Sequence, residues 1–312
     1  MLINIYYLLK KQFYSDAFRY FIWYLIYHLD IFLMFIEEPF YYCKKIIKPI
    51  FIFGYPRSAT TSLHETLYQS SNISSIKLSD VLFKSNILKQ ILKFKFINNF
   101  LSKLLIKFKT NGHKISLESL MEEHLLLFNH FIYFVIPKLY VVVPKYVINK
   151  QKIVTINDIY FIKRVIQRLD NKRYIGKLLF LDGNYEILKK VFPDMINIHC
   201  KRNLKDSFKS YIILGYNLSK QQMSYDEVKF SKFIEYHFEL LKQMENNLTK
   251  IKYDYVIEFN EWCNNQEKVI LDCVKNINLD VNELLIYKDG KSEQLPDNLN
   301  KILDEKLNIL FT

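Results

Sequence analysis

The stretch Pro49-Ile50-Phe51-Ile52-Phe53-Gly54-Tyr55-Pro56-Arg57-Ser58-Ala59-Thr60-Thr61-Ser62-Leu63 sets the architecture. Residues 49–54 are an unbroken apolar run closed by glycine, the pattern of a strand buried on both faces of a parallel sheet. Residues 55–60 carry Pro, Ser and Thr and read as a loop, and from Thr61 to Gln69 the apolar residues Leu63 and Leu67 recur at helical spacing. Strand, loop and helix in that order bring backbone N–H groups and the positive end of a helix dipole to one point, which is an anion site by geometry. Arg57 lies within the loop, where a planar guanidinium fork suits an oxyanion in a way that lysine does not reproduce.

Composition agrees with a folded chain. The 312 residues are 50% hydrophobic with only 6 Gly and 7 Pro, which excludes disorder, collagen-like repeats and linker-rich architectures. Cys43, Cys200, Cys263 and Cys273 are far apart with no CxxC pair, so neither a disulfide framework nor a structural zinc site is expected. The net charge of +12 comes mostly from lysine, which accompanies abundant Ile, Asn, Tyr and Phe as in an AT-rich genome; it is weak evidence for any polyanionic partner. The arginines carry more information: Arg19, Arg57, Arg164, Arg168, Arg173 and Arg202.

The expected organisation is an apolar helical segment over 1–48 and one main domain over 49–312. Phe21 to Ile36 approaches the length of a membrane span and follows Lys10, Lys11 and Arg19. Against a span stand Asp30 and His28 inside it; the alternative is a buried or interfacial helix packed on the domain. No cleavable signal peptide is evident. Helical patterns are expected over residues 79–109 and over 117–134, the latter carrying Glu122, Glu123 and His124. Residues 178–181 and 195–200 read as buried strands around the amphipathic segment 185–192, a βαβ unit. Helices resume from Lys205, and residues 253–259 read as a last strand. The fold class is therefore α/β.

The loop has the Walker A outline of a Gly, four residues and a small residue, but Thr60 stands where the Walker lysine would be, which disfavours an ATPase or ordinary kinase. It resembles instead the 5′-phosphosulfate loop of sulfotransferases, G-x-P-R-S-G-T-T followed by an apolar helix, with Ala59 replacing the family's Gly. A second segment, Asn197 to Ser210, resembles the family's 3′-phosphate segment: a strand ends in Arg202, and Ser210 follows eight residues later on a helix, with Leu204 replacing the usual Pro. Leu188 to Ile198, with its Phe-Pro-Asp, resembles the family's lead-in to that arginine, and Tyr253 to Asp280 resembles its late segment. The family's Leu-Lys-Asp/Ser-Pro segment reads here as Phe180-Leu181-Asp182-Gly183, with its lysine missing at Leu181.

The resemblance implies a P-loop-NTPase-like parallel sheet flanked by helices, and 3′-phosphoadenosine 5′-phosphosulfate (PAPS) as donor, with no metal required. It implies that Gly54, Tyr55, Pro56, Arg57, Ser58, Ala59, Thr60, Thr61 and Ser62 hold the 5′ end, and Arg202 and Ser210 the 3′-phosphate. The resemblance further implies that Arg57 acts on the charge of the leaving phosphate, and that the acceptor is a small molecule, sugar, lipid or peptide with a hydroxyl or amine. The family's base is Glu or His; the candidates are Glu123, Glu122 and His113, with Asp80 and His64 in reserve. Nucleic-acid partners are not expected, and membrane contact, if any, falls to residues 21–36. Two other readings stay open: a catalytically silent, membrane-associated relative that binds the nucleotide, and a P-loop phosphotransferase. Localisation stays open between a membrane-associated and a cytoplasmic protein.

Overall fold

The computed structural model describes residues 2–91, 109–110, 113–114, 117–136, 139–144, 146–147, 150, 153–170, 172–178, 182–219, 226–286 and 294–311. Its centre is a five-stranded sheet of β1 (Ile50–Gly54), β2 (Ile73–Ser74), β3 (Arg173–Lys177), β4 (Ile196–Lys201) and β5 (Tyr255–Glu258), in the order β2-β3-β1-β4-β5. Every pairing is parallel, so all five strands point the same way and their carboxyl ends share one edge. Neighbours that are distant in sequence require crossovers, and the helices supplying them cover both faces.

β1 explains why the sheet is buried on both sides. Ile50 and Ile52 face a core containing Leu63, Leu67, Ile175, Ile198 and Trp262, whereas Phe51 and Phe53 face a larger core with Tyr174, Phe192 and the N-terminal helices. All four are essentially inaccessible, and full burial of such a side chain stabilises by about 1.5 to 3 kcal/mol.

The N-terminal segment forms α1 (Leu2–Lys10) and α2 (Tyr14–Tyr41). Leu8, Tyr20, Trp23 and Met34 enter the larger core. α2 is the one helix among the described residues long and apolar enough to cross a membrane. Its polar residues, however, bind it to the domain. Buried Asp30 accepts from the Lys84 and Ser85 N–H groups at 2.6 and 2.9 Å, and Arg168 donates to Met34 O and the Glu38 carboxylate. Arg168 is positioned by the helix Ile156–Gln167, which starts on the Thr155/Asp158 capping box.

Three expectations are corrected. Residues 117–134 are not one helix: Lys77 and Leu120 form an isolated bridge, a 3₁₀ turn covers Glu123–Leu126, and an α-helix covers Phe128–Val135. The strand expected at 178–181 is β3, ending at Lys177; Leu178 adds one more hydrogen bond, to Ile52 O at 2.9 Å, and 179–181 lie outside the described residues. The apolar run Leu178–Leu181 is the louder signal, while Gly176 and Lys177 give β3 a polar look for reasons found in the site. Of the helical pattern over 79–109, Leu78–Leu82 and Asn86–Ile91 are helical, Lys109–Thr110 is a strand paired with His113–Lys114, and 92–108 lie outside the described residues.

Candidate functional site

The loop, Lys177 and Arg202 gather at the carboxyl edge of β1, β3 and β4, where ligands bind in open α/β sheets. Gly54 ends β1 in a cradle without room for a side chain: a Cβ there would lie 2.6 Å from both Cys200 O and Ser58 Oγ. Buried Tyr55 and Pro56 start the turn, which Ser58 closes by donating from its N–H and its Oγ to Tyr55 O at 3.2 and 2.7 Å. Arg57 and Ala59 then adopt left-handed backbone, with φ of 69° and 67°. A Cβ there costs about 1 to 2 kcal/mol per residue, which gives a physical reason for the Gly that the resembling loop carries at the Ala59 position.

Helix α3 (Thr60–Ser70) begins at that point. Its first intrahelical bond runs from Leu63 N–H to Ala59 O at 2.9 Å, and no side chain caps its N-terminus. The N–H groups of Thr60, Thr61 and Ser62 therefore precede the helix's bonded ladder and suit an anion.

The second segment locks onto the first. Arg202, at the end of β4, donates from Nη1 to Arg57 O, and Arg57 Nε donates to Ser210 Oγ at 3.2 Å from 153 positions away. Ser210 is carried by the helix Leu204–Ser219. The Arg202 guanidinium lies 4.0 Å from the Phe259 ring centroid, a cation–π contact that fixes its plane.

Lys177 is the residue that sequence reasoning missed. It ends β3, is largely buried, donates to Thr61 Oγ1 at 2.9 Å, and pairs with Glu122 Oε1 at 3.1 Å. A lysine thus stands against the loop four residues before Leu181; its signal was a lysine closing the run Tyr174-Ile175-Gly176. Glu122 Oε2 lies 3.3 Å from His124 Nδ1, so a polar line runs from the loop through Lys177 and Glu122 to His124.

Glu123 points the opposite way. It is completely buried, accepts from Tyr174 O–H and from Lys177 N–H at 3.2 Å, and lies against Gly176. Burial raises its carboxyl from 4.5 to about 8, with the Tyr174 bond opposing and the Glu122 charge adding. His113 stands in the strand His113–Lys114, its side chain outside the described residues. His64 is buried 2.8 Å from Ser75 Oγ; burial, then the Lys177 charge, holds its pKa down at about 3, so it is neutral. Asp80 caps its own helix and pairs with Lys89. Among the described residues no group of three or more His, Cys, Asp or Glu is placed to hold a metal ion.

A sequence profile of the sulfotransferase family matches residues 49–270, and the chain belongs to that family, hence to the transferase enzymes. A search of curated proteins gives no match. The fold is similar to that of sulfotransferase STF9 from Mycobacterium avium, at 14% identity and TM-score 0.60, covering 91% of this chain and 73% of that one. It is also similar to sulfotransferase STF1 from Mycobacterium tuberculosis H37Rv, at 14% identity and TM-score 0.55, covering 90% and 81%.

Proposed function

We propose that the protein transfers a sulfuryl group from PAPS to an acceptor hydroxyl or amine. The observation that carries this reading is the interlock of Arg57, Arg202 and Ser210, which joins two anion-binding segments into one site. A donor with phosphate at both its 5′ and 3′ ends fits such a pair. When bound, PAPS supplies the sulfuryl group on a phosphate leaving group.

The residues divide the work by position. Gly54 to Ser62 offer N–H groups and hydroxyls to the 5′ end, and Arg57 and Lys177 set positive charge where the leaving phosphate gains its negative charge. Arg202 and Ser210 take the 3′-phosphate as charge-assisted partners. Glu122 is the proton acceptor: it is the carboxylate beside Lys177 and the loop, whereas Glu123 supports β3 from behind. Acceptors across small-molecule, sugar, lipid and peptide classes remain candidates, and a labelled-donor screen against pooled acceptors separates them.

Binding of 3′-phosphoadenosine 5′-phosphate tests the donor assignment by calorimetry. It should exceed that of AMP or ATP, and Arg202→Ala should weaken it by roughly 1.5 to 3 kcal/mol. Equal affinity for AMP removes the 3′-phosphate assignment; magnesium-dependent ATP binding favours a phosphotransferase; tight binding without turnover on any acceptor favours a silent relative.

A further inference from the structure

α2 inverts the polarity of an ordinary surface helix. Its carboxylates Asp16, Asp30 and Glu37 are buried, whereas Phe18, Phe21, Leu25, Leu29, Phe32 and Ile36 are exposed at steps of three and four residues, ending in Phe40 at 84% exposure. From Tyr14 to Phe40 no exposed position of the helix bears a charge; its only polar side chains there are those of Tyr14, Ser15 and His28. The 28 residues make a stripe about 40 Å long, larger than the scattered apolar exposure of a typical soluble surface. α1, packed on α2, exposes Leu2, Tyr6 and Leu9. Exposed Lys10 and Lys11 precede the stripe, and exposed Lys45 and Lys48 follow it.

α2 is also held along its length. Besides Asp30, Glu37 accepts from the Asn86 N–H at 3.1 Å and from the Ile87 N–H. Standing the helix across a bilayer would break these bonds and place Asp30 and Glu37 in hydrocarbon, at about 2.5 to 3.5 kcal/mol for a central carboxylate such as Asp.

We propose that this face lies in the plane of an anionic lipid surface, the aromatic stripe sunk into the headgroup–acyl boundary and the terminal lysines on acidic headgroups. The other occupant to consider is a second copy. An antiparallel pairing of two stripes sets Lys10 and Lys11 against the other copy's Lys45 and Lys48, and a parallel pairing sets each cluster against itself. Both arrangements oppose like charges, which anionic headgroups neutralise. The attachment is independent of the reaction assigned above.

The test uses full-length protein with exposed Cys43 and Cys263 changed to Ser and one environment-sensitive fluorophore at Phe18→Cys, Leu25→Cys, Phe32→Cys or Phe40→Cys in turn. Vesicles of phosphatidylcholine alone are compared with equal parts phosphatidylcholine and phosphatidylglycerol. Sedimentation with the anionic vesicles should be at least roughly tenfold stronger and should weaken with salt. Spin-labelled lipids should report one shallow depth at all four positions. The triple variant Phe18→Gln, Phe32→Gln, Phe40→Gln should lose vesicle binding and keep its Tm. Depths that deepen toward the middle of the helix indicate a span, a lipid-free dimer abolished by the triple variant indicates a second copy, and absence of vesicle binding removes the lipid; each overturns the proposal.

Discussion

Glu122→Gln should lower sulfuryl transfer by about 100-fold or more while leaving the affinity for 3′-phosphoadenosine 5′-phosphate nearly unchanged. Donor binding rests on the loop and on Arg202, whereas proton removal from the acceptor takes place only on the way to the transition state, so the two readouts separate. Glutamine keeps the shape of the side chain, and its amide oxygen can still accept from Lys177 Nζ, now 3.1 Å from Glu122 Oε1. Basicity is what it loses. Glu123→Gln, made in parallel, should stay near full activity. If Glu122→Gln stays active and His113→Ala is dead, the histidine is the base; if Glu123→Gln alone is dead, the buried carboxyl reaches the acceptor after all.

The same Glu123→Gln variant should change stability in a pH-dependent manner. Burial holds the folded carboxyl at about 8 against an ordinary 4.5, so the folded state favours the protonated form. That contribution is complete below pH 4.5 and is lost as the pH rises through 8; at 1.36 kcal/mol per pH unit the full loss is on the order of 5 kcal/mol. His64 acts in the opposite direction: held neutral with a pKa near 3, it withdraws stability as the pH falls below 6.5. Glutamine has no proton to lose, and its Oε1 can retain both bonds now made to Glu123 Oε1, from Tyr174 O–H and Lys177 N–H. Urea midpoints at pH 5 and pH 9 should therefore differ strongly in the parent protein and much less in the variant. An unchanged alkaline decline in Glu123→Gln would show that another group causes it.

The anion loop could be read from the sequence because its information is local: an apolar strand, a turn and a helix start within fifteen residues. Arg202 and Ser210 were readable for the same reason, but their contact with Arg57 spans about half the chain, and nothing in either segment announces it. Lys177 was missed because hydrophobicity placed the strand on Leu178–Leu181, whereas β3 is the less apolar run before it. The acidic pair was placed on one helix, where neighbouring side chains diverge by about a quarter turn. The backbone at Glu122 is instead extended, with φ −88° and ψ 142°, so successive side chains face opposite sides and the two carboxylates serve different ends. For α2 the composition gave length and apolarity; only tertiary contacts show that its carboxylates turn inward.

The space beside Gly176 also links two positions genetically. A methyl at residue 176 would fall 1.7 Å from Glu123 Oε1 and 2.8 Å from the Tyr174 hydroxyl, so Gly176→Ala forces the buried Glu123 carboxyl out of its present place. The glycine is there for volume and not for backbone freedom, and the lesion is therefore of a kind that a partner can repair. In a selection that starts from Gly176→Ala, suppressors should fall at residue 123 as shorter side chains such as Ser or Ala, and the double variant should outlive the Gly176→Ala parent. Residue 123 can thus be shortened by itself, whereas a side chain at residue 176 finds room only once residue 123 has given it up.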